Sequence, residues 1–153
     1  MTRPLIYIAA PLFSDAEKSA NEAMSSILER YCETFLPQRD GYLIPSLIER
    51  GMSVADAYSY VFKKDVEAIQ RCDAVIINLD GRAVDEGAAF ELGVGFAAGK
   101  LCVGYRTDVR VLLPWGQNPM ITGPLQAVLG SPVELEGWVI AFASCCALGK
   151  ARA

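Results

Sequence analysis

Short apolar runs alternate along the chain with longer stretches in which apolar positions recur every three or four residues, a pattern that predicts strands separated by helices. Leu5-Ile6-Tyr7-Ile8-Ala9 reads as a first strand ending at Ala10-Pro11, and Thr34-Phe35-Leu36 as a short second strand stopped by Pro37. Ala74-Val75-Ile76-Ile77-Asn78-Leu79 is the near-continuous apolar run of a strand buried on both faces, and Leu101-Cys102-Val103-Gly104-Tyr105 supplies a fourth.

The intervening segments carry helix punctuation. Ser14 or Asp15 can cap a first helix whose inward stripe is Ala20, Ala23, Met24, Ile27, Leu28 and Tyr31. Residues 46–50 suit a helical turn closed by Gly51, and Ser53 caps a longer helix reaching about Arg71, with Tyr58, Val61, Phe62, Val66 and Ile69 on its apolar face. Asp73 follows as a residue that caps or terminates that helix. A further helix runs from Asp85 to a stop at Gly99-Lys100. Beyond the fourth strand, residues 106–119 form a long polar loop that includes Pro114, Trp115 and Gly116, of a length usually associated with function. Helices are expected at 121–129 and 135–149, and Val133 carries a faint signal for a fifth strand.

Strands that alternate with amphipathic helices build a parallel sheet covered on both faces. With the first strand central, the expected fold is α/β, a flavodoxin-like doubly wound parallel sheet of four or five strands. One domain over residues 1–153 suffices for a chain of this length, which can bury a core without staples.

A formal charge of -4 and the lack of a basic stripe argue against a nucleic-acid partner. The amino terminus lacks the pattern of a signal peptide, and the apolar run at 138–148 is shorter than a bilayer span. Five cysteines without a CxxC pair suit a reducing compartment, so a cytoplasmic protein with no membrane partner is expected. Histidine is absent, which removes Ser-His and Cys-His machinery and the commonest zinc ligand. Chemistry must rest on carboxylates, tyrosines, amides or backbone, and neither a metal nor a cofactor is expected.

Between Gly87 and Gly99 the only ionisable residue is Glu91. A carboxylate among small and apolar neighbours is costly unless it has a partner or a task, although one wet stripe on a buried helix would also accommodate it. Asp85 and Glu91 flank the place where a strand's carboxyl end meets a helix start, the usual ligand position in an open α/β sheet. Tyr7, from the first strand, could approach Glu91 there and keep it ionised. Asp65 lies on or beside the buried face of its helix, although Lys63 and Lys64 make a surface charge the alternative. A second carboxylic acid beside Glu91, either Asp65 or Asp85, would let the pair divide nucleophile and acid roles, as in glycosidic cleavage with retention. The polar loop Gln38-Arg39-Asp40-Gly41 is either a solvated turn or part of a binding edge.

At these residues the chain resembles the nucleoside 2-deoxyribosyltransferases. The resemblance rests on the run from Ile6 through Tyr7 to Phe13, on the helix around Asp65 with Cys72-Asp73-Ala74-Val75, on Asp85-Glu86-Gly87-Ala88-Ala89-Phe90-Glu91-Leu92-Gly93, and on Asn118-Pro119-Met120-Ile121. It implies a flavodoxin-like fold and exchange of a 2-deoxyribosyl group between nucleobases. Glu91 would be the nucleophile, Tyr7 the residue orienting it, and Asp65 the acid assisting departure of the base. Asp85 would bind a sugar hydroxyl, Gln38 and Asp40 would fall in a base-contacting loop, and Asn118 would be lent to a neighbouring subunit in a homo-oligomer of at least two chains. Two other functions fit the same residues: an N-glycosidase acting on deoxynucleosides or their 5'-monophosphates, and a non-catalytic nucleotide-sensing module. A carboxylate such as Asp85 near the sugar's 5' end disfavours a phosphate, which points to free nucleosides and nucleobases as small-molecule partners.

Overall fold

The computed structural model describes residues 3–110 and 117–150; Pro114, Trp115 and Gly116 of the long loop lie outside the described residues. β1 (Leu5–Ala9) leads into α1 (Asp15–Leu28) and β2 (Glu33–Phe35), after which α2 (Pro37–Asp40), α3 (Ile44–Glu49) and α4 (Val54–Arg71) return the chain to β3 (Ala74–Asn78). There follow α5 (Glu86–Ala97), β4 (Leu101–Tyr105), α6 (Pro119–Thr122), β5 (Val128–Leu129) and α7 (Pro132–Lys150). The strands pair in parallel in the order β2-β1-β3-β4-β5, the flavodoxin-like doubly wound arrangement with β1 inside the sheet.

Alternation along the strands divides the core in two. Ile6, Ile8 and Ile76 pack with Leu28 of α1 and with Leu135 and Val139 of α7 on one face of the sheet. Tyr7, Val75 and Ile77 pack with Ile69 of α4 and Leu92 of α5 on the other. β3 is buried along its whole length, as its apolar run requires. α5 lies close to it: a Cβ on Gly95 would come within 2.6 Å of Val75 Cγ2. A branched core side chain cannot yield easily, so Gly95→Ala is expected to destabilise the chain by about 1–3 kcal/mol in urea unfolding. An unchanged unfolding midpoint would contradict this packing.

Local chemistry sets several boundaries. Ser14 caps α1 in a reciprocal box with Glu17, Ser53 caps α4, and Gly51 turns the chain after α3 with φ 93°. Lys100 donates from Nζ to Gln70 O at 2.6 Å, which closes the end of α4 rather than that of α5. Asp73 does not cap a helix; its Oδ2 accepts from Leu5 N at 2.8 Å and holds the start of β1 against β3.

Two expectations are corrected by contacts distant in sequence. On α1 the buried positions include Asn21 and Ser25, whereas Ala20 and Ala23 are exposed. Asn21 Nδ2 donates to Pro11 O at 2.7 Å and to Gln38 Oε1 at 3.0 Å, and Ser25 Oγ shares a 2.8 Å hydrogen bond with Thr34 Oγ1. Polar groups with such partners are buried at little cost, and alanines gain little by taking their place. In the second case residues 121–129 are not a helix. α6 ends at Thr122 before Gly123-Pro124, and Val128 and Leu129 pair instead with Gly104 and Tyr105 as β5. Val133 belongs to α7, in whose first turn the Glu134 amide donates to Ser131 Oγ at 3.2 Å.

α7 is also longer than its apolar run suggested. Pro132–Gly149 is long and apolar enough to cross a membrane by length and composition. Yet Leu135, Val139 and Phe142 are buried in the core beneath it.

Candidate active site

α5 begins where β3 leaves the sheet, and Asp85 fixes its start: Asp85 Oδ1 accepts from Ala88 N at 2.8 Å. Burial of Ala88, Leu92 and Gly95 then sets the rotation of the helix and turns Glu91, one position before Leu92, toward β1. Tyr7 is fully buried on β1, its ring stacked on Phe35 of β2 at 5.4 Å between centroids. Its hydroxyl donates to Glu91 Oε1 at 2.7 Å.

This carboxyl group is strongly perturbed. Burial is the largest influence and pushes its pKa up to about 8; the Tyr7 hydrogen bond opposes that rise, while the charges of Asp65 and Asp85 add to it. Tyr7 is raised far above the phenol range by burial and by Glu91, so it stays protonated and serves only as a donor.

Asp65, one turn before Ile69 on α4, completes the arrangement. Its Oδ1 is buried with no hydrogen-bond partner among the described residues, and burial raises its pKa to about 6. Asp65 and Glu91 line one cleft of about 170 Å³ between α4 and α5, together with Phe62, Val66, Ile69, Gly87 and Phe90. A partnerless carboxyl in such a place costs stability, and a group that can hold or release a proton near neutrality is a useful return on that cost. Chemically the pair offers one carboxyl group held in a single rotamer by a phenol and a second with a free oxygen.

The remaining expected site residues are placed differently. Asp85 acts on Glu91 through charge and caps α5. Gln38 donates to Lys18 O at 3.0 Å and Glu22 Oε1 at 3.1 Å, and Asp40 Oδ2 accepts from Leu36 N at 2.9 Å and pairs with Arg39. Gln38 therefore braces α2 against α1 while Asp40 closes the start of α2 and holds Arg39, and among the described residues no hydrogen bond joins either to Tyr7 or Glu91. Asn118 is exposed at the start of α6, where its Oδ1 accepts from Met120 N at 2.9 Å. It borders a separate cavity of about 480 Å³ with Val84, Ala89 and Ile121.

Four contributors do not stand out as site residues from the sequence. Phe35 backs the Tyr7 ring, and Phe62 and Phe90 rim the cleft with ring centroids 6.0 Å apart. Phe62, expected on the apolar face of α4, is 56% exposed. Asn78, the polar residue ending the apolar run of β3, is 6% exposed; its Oδ1 accepts from Asp80 N at 2.9 Å. A lone amide in that run was the available signal. Asp80 in turn accepts from Thr107 N and Asp108 N, at 2.6 and 2.7 Å, tying the exits of β3 and β4 together.

Comparison with known proteins follows the same lines. No curated protein matches the sequence. Among solved structures the fold is similar to that of a 2-deoxyribosyltransferase from Bacillus psychrosaccharolyticus (24% identity, 86% of this chain and 90% of that chain covered, TM-score 0.72). It is similar as well to a conserved protein from Enterococcus faecalis V583 (25% identity, 92% and 99% covered, TM-score 0.72). A CMP N-glycosidase from Clostridium botulinum shares the fold at 17% identity, with 90% and 98% covered and a TM-score of 0.56. The sequence profile of the nucleoside 2-deoxyribosyltransferases matches residues 6–142, and the chain belongs to that family.

Proposed function

We propose that this protein transfers a 2-deoxyribosyl group from one nucleobase to another through a glycosyl ester on Glu91. The observation carrying the proposal is the 2.7 Å hydrogen bond from Tyr7 to Glu91, in a cleft shared with the partnerless carboxyl of Asp65. With Oε1 held by the phenol, the other oxygen of Glu91 attacks the anomeric carbon. The carbon–nitrogen bond breaks toward the base, which takes a proton from Asp65. A second base then attacks the same carbon, the ester bond returns its electrons to Glu91, and the proton of the incoming base goes back to Asp65. Retained configuration follows from two displacements. Asp85 contributes by binding a sugar hydroxyl. Three carboxylates around one site disfavour a 5'-phosphate, so free deoxynucleosides are the substrates.

Tyr7→Phe is the first check. Loss of a hydrogen bond to a charged group is worth about 1.5–3 kcal/mol, so kcat is expected to fall ~10–100-fold. Because the phenol holds the pKa of Glu91 down, the limb of the pH profile near 8 should also move upward. A Tyr7→Phe enzyme with an unshifted profile and full kcat would remove the phenol from the account.

Hydrolysis is the second reading, and one observation favours it. The cleft is rimmed by Phe62 and Phe90, 56% and 57% exposed, so within a single chain an ester there meets water. Transfer requires cover. In our reading a second copy supplies it by packing on the exposed aromatic surface of α4 and α5, which Tyr58 (60% exposed) extends, and brings its Asn118 to the site. Gln38 and Asp40 would contact the base only after exchanging their present partners. Cytoplasmic residence belongs to the same proposal, consistent with five cysteines none of which forms a disulfide among the described residues, as does a single domain over residues 1–153. Incubation with deoxyadenosine, with and without cytosine, separates the readings by chromatography. Deoxycytidine demonstrates transfer, deoxyribose alone demonstrates hydrolysis, and no product in either mixture leaves only a sensing role.

A further inference from the structure

Three glycines fall inside α5, Gly87, Gly93 and Gly95, and glycine is the weakest helix former after proline. Gly95 has its reason in the close approach to Val75. Gly87 has neither a packing reason nor a conformational one. It is helical, and the described glycines with positive φ are Gly51, Gly81 and Gly99. A Cβ built on Gly87 would meet one atom outside its own stretch of helix, Asp85 Oδ1 at 3.2 Å, the end of a side chain able to yield by a few tenths of an ångström. Gly93 is just as open, but it lies on the other side of the helix from Glu91. Gly87 opens onto the Glu91 cleft.

We propose that Gly87 is a specificity-determining residue, whose missing side chain leaves the floor on which the sugar lies while Glu91 attacks it. The assignment rests on the reading of Glu91 as the nucleophile. Residues 87 and 91 are one turn apart on the same face of α5, and helical side chains lean toward the amino terminus. The Glu91 carboxyl therefore reaches back over the turn that Gly87 leaves open. Asp85, at the start of that turn, has Oδ1 engaged by Ala88 N at 2.8 Å, while its Oδ2 has no hydrogen-bond partner among the described residues. A pentose held at its anomeric carbon by Glu91 and at a hydroxyl by Asp85 has to cross Gly87.

Stereochemistry fixes which side of the sugar meets this floor. The base of a nucleoside stands on the β face, so a nucleophile placed opposite the leaving group comes from the α face. The 3'-hydroxyl of a deoxynucleoside points to that face, and a ribonucleoside adds its 2'-hydroxyl beside it. Gly87 thus sets how much substituent the α face can carry. A methyl group at this position takes the space of those hydroxyls and leaves a sugar that lacks them nearly untouched. One carbon more or less in a binding site is worth ~10–200-fold in discrimination.

The test is Gly87→Ala, with Gly93→Ala as the control for helix propensity. Both are placed in the full chain carrying Glu91→Gln, so that binding is read without turnover, and titrated calorimetrically with deoxyadenosine and 2',3'-dideoxyadenosine. Both are expected to melt no lower than their parent, because alanine favours a helix. Gly87→Ala should weaken deoxyadenosine binding ~10-fold or more and dideoxyadenosine binding by less than about three-fold, while Gly93→Ala changes neither. With Glu91 restored, Gly87→Ala should raise KM for deoxyadenosine by a similar factor and alter kcat less. Deoxyadenosine binding unchanged by Gly87→Ala, or weakened equally with dideoxyadenosine, would overturn the proposal. So would a lowered melt, which would trace the effect to a displaced Asp85 cap. The graded loss of binding in a protein whose wild type turns over no nucleoside would sink the reaction and leave the floor standing; a parent that binds neither ligand would sink both.

Discussion

Glu91→Gln should lower deoxynucleoside turnover by ~10⁴-fold or more while leaving the fold intact, because an amide oxygen is a poor nucleophile and the phenol orients no other carboxylate in the cleft. The same substitution should stabilise the protein. Glu91 ionises at about 8 in the folded chain, above the ordinary glutamate value of 4.5 expected when unfolded. A raised folded-state pKa means that stability is fully present below 4.5 and is lost as pH rises toward 8, as the buried group is made to ionise. Glutamine escapes that loss. The gain of Glu91→Gln should therefore be small at pH 4, grow through this window and level off above it, reaching on the order of a few kcal/mol. Thermal melts at several pH values measure it. A variant that is less stable than wild type at pH 8 would show that the carboxylate serves the fold rather than the reaction.

Asp65→Asn is the second large effect. Loss of a general acid commonly costs ~10²–10⁴-fold, and the pH profile identifies which step is lost. In the wild type the pair holds one proton between about pH 6 and pH 8, the values to which burial raises Asp65 and Glu91; it sits mostly on Glu91, and the reactive form is the minor one in which Glu91 is ionised and Asp65 carries the proton. Below that interval both are protonated and Glu91 cannot attack; above it both are ionised and no proton is available for the base. kcat/KM should therefore be bell-shaped, with limbs near 6 and 8. Asp65→Asn should abolish the bell and leave a single rise that follows ionisation of Glu91, below 8 because the Asp65 charge no longer opposes it. The defect should shrink with nucleosides whose base leaves without protonation. A bell that survives in Asp65→Asn would assign the acid to another residue.

What the sequence disclosed and what it concealed divide by distance along the chain. Caps such as Ser14 and Ser53 act within a few residues, and β3 is apolar from end to end, so these elements and the parallel sheet could be read locally. The buried side of α1 could not. Asn21 earns its place through Pro11, Gln38 and Asn78, the last 57 residues away. β5 is two residues long and exists because β4 offers it an edge, which no local pattern announces. The site shows the same division. Glu91 stands out as a lone acid in an apolar helix, but the partner that gives it meaning, Tyr7, is 84 residues away. Strand position already allowed Tyr7 to approach Glu91 and helical spacing put Asp65 at the buried face, whereas the choice of Asp65 over Asp85 as the acid and the role of Asn118 came from family resemblance. Gln38 and Asp40 were placed by that resemblance too, and their engagement with α1 and Arg39 depends on how α2 folds back, which spacing does not encode.

The central claim is a covalent bond between Glu91 and a sugar. It is tested most directly by incubating the protein with a deoxynucleoside in the absence of acceptor base, quenching with acid and mapping the digest by mass spectrometry. The account predicts one added 2-deoxyribosyl group on the peptide containing Glu91, removed when a nucleobase is supplied before the quench. Steady turnover with the sugar attached to another residue, or with no attachment in the wild type under any quench time, would contradict it.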